Sequence, residues 1–210
     1  AVQYAPHFTY VDEIDATALV EMRKQLKPAA AEHGVKITYL PFIMKALAEV
    51  FTSFPTVNAV MNEEKMELTV RGEVNIGIAT DTPNGLYVPV IKNVEQKSIL
   101  ELASEIVDLT TRTREGKVGL HELTGGTFTI TSVGNIGGRF ATPIINHPEV
   151  SIVSIHAARD RAVVREGEIV VRKMMNLTSS FDHRIIDGYD GALLIQDLKS
   201  MLENPATIFM

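Results

Sequence analysis

Residues 169–188 of the chain read IVVRKMMNLTSSFDHRIIDG and contain its longest strand candidate. Apolar and β-branched residues dominate positions 169–181 and predict a strand, with an expected break near Lys173. A short polar loop follows, and apolar side chains then return at helical spacing from Asp190 to Glu203. A long strand followed by a loop and an amphipathic helix indicates a sheet that is covered by helices.

Strand and helix patterns alternate along the rest of the chain, which predicts α/β or α+β packing, and 210 residues fit one domain. Asp15 is the predicted N-cap of a first helix, which Pro28 kinks or shortens. Thr38 is the predicted cap of a second helix. Ser98 and Glu101 form a capping box that opens a third helix, which ends near residue 114. Further strands are predicted at residues 7–14, 57–61, 66–70, 74–80, 86–91, 127–133, 150–156 and 161–165.

The composition is that of an ordinary globular protein and argues against several classes of function. A net charge of −6 disfavours broad nucleic-acid binding, and no apolar run approaches the roughly 20 residues that span a bilayer. The chain has no cysteine, which excludes disulfides, a thiolate nucleophile and cysteine-ligated metals. A reducing compartment is compatible with this, and we expect the cytoplasm, or the mitochondrial matrix if the source is eukaryotic.

Histidine is the most informative reactive residue type in the chain. None of the six histidines has the spacing of a metal site, so no metal is expected. His183 stands where the long strand stops, flanked by Asp182, Arg184 and Asp187. A histidine near carboxylates on a loop at a strand end is suited to accept a proton near neutral pH. The spacing alone leaves a structural role open, and the other five histidines are interpreted as solvated or structurally satisfied.

The glycine-rich segment GNIGG, residues 134–138, lacks the spacing of a dinucleotide-binding loop. We interpret it as a turn whose glycines adopt positive φ angles.

The segment SFDHRIIDG, residues 180–188, resembles the D-H-R-x-x-D-G signature of the dihydrolipoamide acyltransferases of 2-oxo acid dehydrogenase complexes. Other stretches resemble blocks of that family in the same order, and together they cover nearly the whole chain. They are PHFTYVDEID, ITYLPFIMKAL, VNIGIATDTPNGLYVPVIKNV, GGTFTITSVGNIGGRFATPIINHPEVSI and LENPA. The resemblance implies an α/β fold, an α+β two-layer sandwich of the chloramphenicol acetyltransferase type, in which a mixed sheet packs against helices.

The resemblance also implies a reaction, namely acyl transfer between the thiol of a lipoyl group and coenzyme A. His183 would remove the proton from the attacking thiol, and no acyl-enzyme is needed. Thr131 occupies the position of a hydroxyl that donates a hydrogen bond to the oxyanion. Asp187 would orient the loop or assist proton transfer. Asp182 and Arg184 are interpreted as structural ion-pair partners.

Members of the family assemble as trimers, in which the histidine of one subunit meets the hydroxyl of its neighbour. The resemblance implies that trimers build a hollow core, which works with the 2-oxo acid decarboxylase/dehydrogenase and dihydrolipoamide dehydrogenase components. The lipoyl group would be carried on a separate domain, so residues 1–210 are expected to be a catalytic domain excised from a longer protein. The family's arginine before PHFTYVDE falls outside the chain. The apolar residues Ile208, Phe209 and Met210 would fill a pocket on a neighbouring trimer or fold back.

Two alternative functions remain open from the sequence. One is acetyl transfer to a free small molecule with the same fold and histidine, and the other is an inactive core that only binds partner enzymes. The acyl group is also open. HAARDRAVV (156–164) and KMMNL (173–177) resemble succinyl-transferring members, whereas GNIGGRFATPIINHPEV (134–150) resembles acetyl and branched-chain members.

Overall fold

The computed structural model describes residues 5–132 and 137–209. Four α-helices lie among eleven strands. The helices are α1 (Thr17–Glu32), α2 (Leu40–Ser53), α3 (Ile99–Arg114) and α4 (Gly188–Glu203). The strands are β1 (His7–Asp15), β2 (Ala59–Asn62), β3 (Glu67–Val70), β4 (Ile76–Ile78), β5 (Thr80–Thr82), β6 (Gly85–Tyr87), β7 (Val90–Ile91), β8 (Phe128–Ser132), β9 (Ser151–Ile155), β10 (Arg159–Arg165) and β11 (Glu168–Asp182).

The central sheet is mixed, as predicted. Its strand order is β1-β11-β9-β8-β4-β7, and β10 pairs with the first half of β11. Strand β8 is parallel to β4 and β9, whereas the other pairs of the sheet are antiparallel. The start of β9 and the end of β11 therefore lie at the same edge, where Ser151 pairs with Phe181. The hairpins β2–β3 and β5–β6 form two small separate sheets.

Strand β11 runs without the break that was expected near Lys173. The strand continues there because its backbone is paired on both sides: Lys173 is opposite Asp160 of β10, and its carbonyl accepts a hydrogen bond from the Ala16 amide. From Met174 onward the strand pairs with β1. Its first residues are exposed and its last six are buried, so β11 runs from the surface into the core. Residues 182–184 therefore lie at the sheet edge.

The helices pack on the sheet and on one another, with α4 against β1 and α2, and α1 against β11. Pro28 does not shorten α1, which continues to Glu32; residues 24–29 are exposed, so the carbonyl that loses its amide donor faces water. Two predicted caps are wrong, because Tyr39 precedes α2 and Ala16 precedes α1, both without side-chain capping bonds. The capping box of α3 is confirmed.

Two strands predicted as continuous are each divided in two. Residues 74–80 contain all of β4, a strand of the main sheet, and the first residue of the separate hairpin strand β5. Residues 86–91 are divided in the same way between β6 and β7. The chain leaves the main sheet at Ala79, whose amide still donates to the Ile130 carbonyl of β8.

Candidate active site

The turn that carries His183 is closed by main-chain hydrogen bonds. The amides of Ile185 and Ile186 both donate to the carbonyl of Asp182 at 3.0 Å, and the His183 amide donates to the Pro6 carbonyl at 2.8 Å. Ile186 is buried, whereas the His183 side chain is exposed. The turn thus presents the imidazole at the end of β11 on a backbone held from both sides.

The imidazole of His183 rests on an aromatic group. Its ring centroid lies 4.8 Å from that of Phe8, which in turn lies 5.2 Å from Phe181. A side chain at Gly191 would come within 2.9 Å of the Phe8 ring and 3.1 Å of the Phe181 ring. Glycine at this position therefore lets α4 approach the aromatic pair closely, and the Phe8 ring of this pair packs against the imidazole at an angle of 58°.

Asp182 and Arg184 form the ion pair that was expected of them, and Glu63 is a third member that the sequence did not reveal. Arg184 Nη2 lies 2.6 Å from Asp182 Oδ2, and Arg184 Nη1 and Nη2 donate to both carboxylate oxygens of Glu63 at 3.0 and 2.8 Å. Asp182 is buried, with 1% of its surface exposed. Hydrogen bonds from Arg184 lower the pKa of Glu63, and those to both carboxylates raise the pKa of Arg184.

Asp187 is the N-cap of α4. Its Oδ1 atom accepts hydrogen bonds from the amides of Tyr189 and Asp190, both at 2.9 Å. These amides belong to the first turn of the helix, where they have no partner within the helix. The side chain therefore fixes the join between the His183 turn and α4, which agrees with an orienting role.

Thr131 is half-buried on β8 and lies far from His183 of the same chain. It pairs with Ser154 of β9, which pairs with Thr178 of β11. His183 lies five residues beyond Thr178, toward the opposite edge of the sheet. A rise of about 3.3 Å per residue and a spacing of about 4.8 Å between strands separate Thr131 and His183 by roughly 20 Å. One subunit does not bring these two residues together.

The sheet edge near Thr131 opens into a cavity of about 440 Å³. Arg23 and Lys36 line it together with Ser132, the residue after Thr131. The Arg23 guanidinium stacks over Tyr39 at 4.6 Å from the ring centroid, and among the described residues its Nε atom has no hydrogen-bond partner. The cavity thus offers cationic donors for an anionic group.

His156 lines the same cavity and is buried, which the sequence did not single out. Its Nε2 atom lies 3.5 Å from the hydroxyls of Ser154 and Thr178, and its Nδ1 atom has no partner within the described part of the chain. Burial lowers its pKa. The interpretation of this histidine as structurally satisfied is therefore only half correct.

Glu149 is a second group that the sequence analysis missed. Its side chain is buried beside the start of β9, where Thr129 Oγ1 donates to it at 2.5 Å and the Asn146 amide at 3.1 Å. Burial raises its pKa to about 7, although both hydrogen bonds act in the opposite direction. One signal was available in the sequence, an acidic residue directly before a strongly apolar strand.

Three further expectations concern the glycine loop, metals and membranes. Gly137 and Gly138 have positive φ angles, as predicted, whereas residues 134–136 lie outside the described residues. No group of three or more His, Cys, Asp or Glu side chains that could hold a metal occurs in residues 5–132 and 137–209. Within those ranges, no helix has both the length and the apolar character needed to cross a membrane.

Comparison with solved structures identifies close structural relatives. The dihydrolipoamide acetyltransferase of Azotobacter vinelandii superimposes with a TM-score of 0.96 at 37% identity, covering 100% of this chain and 86% of that chain. A truncated catalytic core of the 2-oxoacid dehydrogenase complex from Thermoplasma acidophilum gives 0.87 at 41% identity, with 98% and 90% covered. Chloramphenicol acetyltransferase, at 12% identity and a TM-score of 0.60, shares the fold over 95% of this chain and 89% of that chain. The predicted fold class is confirmed.

Curated relatives agree with the structural ones. The chain is 45% identical over 206 residues to the acetyltransferase component of the Bacillus subtilis pyruvate dehydrogenase complex. It is 47% identical over 204 residues to the lipoamide acyltransferase component of the branched-chain complex of Pseudomonas putida. These matches cover 98% and 97% of the chain but 47% and 48% of the relatives, so the chain spans about half their length. Residues 1–210 match the model of one family, and the chain belongs to it: the 2-oxoacid dehydrogenases acyltransferase family, catalytic domain.

Proposed function

We propose that the chain transfers an acyl group between the thiol of a lipoyl group and coenzyme A, with His183 as the general base. The observation that carries this proposal is the exposed imidazole on a closed turn at the end of β11, supported by Phe8. His183 takes the proton from the attacking thiol, the thiolate attacks the acyl thioester, and the departing thiolate recovers the proton. The chain needs no nucleophile of its own for this reaction.

Thr131 of a neighbouring subunit completes the site in this proposal. Its hydroxyl donates a hydrogen bond to the oxyanion of the tetrahedral intermediate. The separation of roughly 20 Å within one subunit supports a site between subunits, because both groups must reach one thioester carbon. A trimer is the assembly that the family resemblance implies for such a site. The cavity with Arg23 and Lys36 supplies cations for the phosphate groups of coenzyme A.

The role of Asp187 follows from its position four residues after the base. The Azotobacter vinelandii structure comes from an investigation of the roles of a serine, a histidine and an asparagine in the catalytic mechanism. The asparagine lies four residues after the histidine. His183 and Asp187 have the same spacing, with aspartate in place of asparagine. Because Asp187 caps α4, we assign it to orienting the loop that carries His183.

The relatives support a proposal for the partners, and the proposed location is the one that suits those partners. They are components of pyruvate and branched-chain dehydrogenase complexes, and one structure similar to this chain is the cubic core of the pyruvate dehydrogenase complex. We therefore propose that trimers of this chain build a hollow core that works with the decarboxylase/dehydrogenase and dihydrolipoamide dehydrogenase components. The lipoyl group arrives on a separate domain. The location that suits these partners is the cytoplasm, or the mitochondrial matrix in a eukaryote.

The test is acyl transfer by the purified chain from acetyl-, isobutyryl- and succinyl-coenzyme A to dihydrolipoamide. The readout is the disappearance of the free thiol of dihydrolipoamide. Transfer to dihydrolipoamide that saturates with both substrates is expected. Relatives at 44–47% identity are acetyl and branched-chain enzymes, so the first two donors should exceed succinyl-coenzyme A. Transfer only to a free small-molecule acceptor, or no transfer by an intact particle, would overturn the proposal.

A further inference from the structure

The tip of the β2–β3 hairpin reaches the turn that carries His183. Glu63 lies in the tight turn of this hairpin and binds Arg184 through both carboxylate oxygens, at 3.0 and 2.8 Å. The two residues are 121 positions apart in sequence. Arg184 also donates from Nε to Asp182 at 3.0 and 3.2 Å. Its guanidinium therefore joins the hairpin to the residues on either side of the histidine.

The hairpin is itself fixed, so Glu63 is a firm partner. The Met61 amide donates to the Pro148 carbonyl at 2.8 Å, and Val60 forms a bridge with Glu149. Asn62 Oδ1 accepts hydrogen bonds from the amides of residues 64 and 65, and these bonds close the turn around Glu63. Because the hairpin is held in place, Glu63 restrains the position of the Arg184 guanidinium, which a mobile hairpin could not do.

The ion-pair network runs from a buried carboxylate, Asp182, to the partly exposed side chains of Arg184 and Glu63. The side chains of Asp182, Glu63 and Arg184 are 2%, 17% and 27% exposed. Bidentate arginine–carboxylate pairs fix both distance and orientation, which a single hydrogen bond does not. His147 faces the same carboxylate, with its Nε2 atom 3.8 Å from Glu63 Oε1. Arg184 remains the partner that makes two hydrogen bonds with it.

We propose that Glu63 is a positioning residue for acyl transfer, acting through Arg184 on the turn that places the His183 imidazole. This inference rests on the proposed function, in which His183 is the base. Loss of Glu63 leaves Arg184 bound to Asp182 alone, so the turn loses its link to the hairpin and keeps its internal hydrogen bonds and the one from the His183 amide to Pro6. Displacement of a reacting group by about 1 Å can reduce turnover by about 10²-fold. A partial loss of restraint should cost less.

The first experiment compares Glu63→Gln with Glu64→Gln, its exposed neighbour, in the intact assembled protein. Glu63→Gln should lower kcat about tenfold with unchanged KM for coenzyme A and dihydrolipoamide, as expected of a residue that acts only through Arg184. Glu64→Gln should behave as wild type. A wild-type kcat in Glu63→Gln, or a change confined to KM, would refute the positioning role.

The second experiment tests whether the effect passes through Arg184. In an Arg184→Gln background, Glu63→Gln should add little, because the residue through which it acts is already gone. Fully additive losses would contradict the inference. Thermal unfolding and sedimentation of each variant separate misplacement of the turn from a loss of folding. If Glu63→Gln does not assemble, Glu63→Asp retains the charge with a shorter reach and should give an intermediate kcat, and a wild-type kcat there would refute the inference.

His183→Ala, measured in parallel, distinguishes failure of the proposed function from failure of the positioning role of Glu63. Full turnover by His183→Ala would reject the proposed function whatever Glu63 does. An inactive His183→Ala together with a fully active Glu63→Gln would reject the positioning role alone.

Discussion

Replacing the buried Glu149 by glutamine is expected to stabilise the chain at alkaline pH and to have little effect near pH 4.5. Burial raises the pKa of Glu149 to about 7, from an ordinary value of 4.5. The folded chain therefore holds this proton more tightly than the unfolded chain, and stability falls as the pH rises between these two values. Glutamine resembles the protonated acid, since its amide can donate to Thr129 and its carbonyl can accept from Asn146.

The size of the effect follows from the two pKa values. They differ by about 2.5, and each unit corresponds to about 1.4 kcal/mol, so the ionised carboxyl costs about 3 kcal/mol of folding free energy above pH 7. His156 has the opposite effect on the pH dependence of folding stability. Burial lowers its pKa, so the folded chain becomes less stable as the pH falls and this histidine is protonated. Its contribution is common to wild type and variant and cancels in their difference.

The assay is urea unfolding of wild type and Glu149→Gln at pH 5 and pH 8, at equal protein concentration because assembly contributes to stability. The variant should exceed wild type by about 3 kcal/mol at pH 8 and by about 0.8 kcal/mol at pH 5. Glu168→Gln, a change at an exposed position on β11, should show no such pH dependence. An equal difference at both pH values would refute the assignment of a raised pKa to Glu149.

Substitutions at three other positions test the site and the assembly. Thr131→Ala should lower kcat by about 10²–10³-fold with little change in KM, and Thr131→Ser should restore most of it; a change in KM alone would make the hydroxyl a substrate-binding group. Asp187→Ala should cost about 1 kcal/mol of stability by removing the cap of α4, whereas Asp187→Asn should retain the cap, and equal unfolding midpoints for the two would contradict this role. Phe209→Ser should give smaller particles that still turn over, because Phe209 is 59% exposed whereas Ile208 packs on its own subunit. Sedimentation of an unchanged large particle, or of monomers, would exclude a contact between trimers.

Most of the fold could be predicted because long elements carry strong periodic patterns. Helix α3 was located from its capping box, and β11 from its run of apolar residues, since both signals are local. The division of residues 74–80 was not predictable in this way. Ile78, Ala79 and Thr80 follow one another without a turn residue, and only the pairing of Thr80 with Tyr87 in a separate hairpin shows where the chain leaves the sheet.

The candidate site was predictable only in part, for a related reason. The motif around His183 is contiguous in sequence, and the ion pair of Asp182 with Arg184 lies within it. Glu63, Glu149 and His156 obtain their surroundings from distant segments, so no local pattern marks them. Burial of Glu149, for example, depends on Thr129 and on the segment that precedes β9.

Complementation between two inactive variants is the direct test of whether His183 and Thr131 of different subunits form one active site. His183→Ala and Thr131→Ala subunits would be coexpressed with different tags, and mixed particles would be purified through both tags. In a cyclic trimer with random mixing, about one quarter of the interfaces combine an intact His183 with an intact Thr131 from the neighbour. If the two residues form one site, mixed particles should recover about a quarter of the wild-type kcat. Mixed particles no more active than the two parents would contradict it.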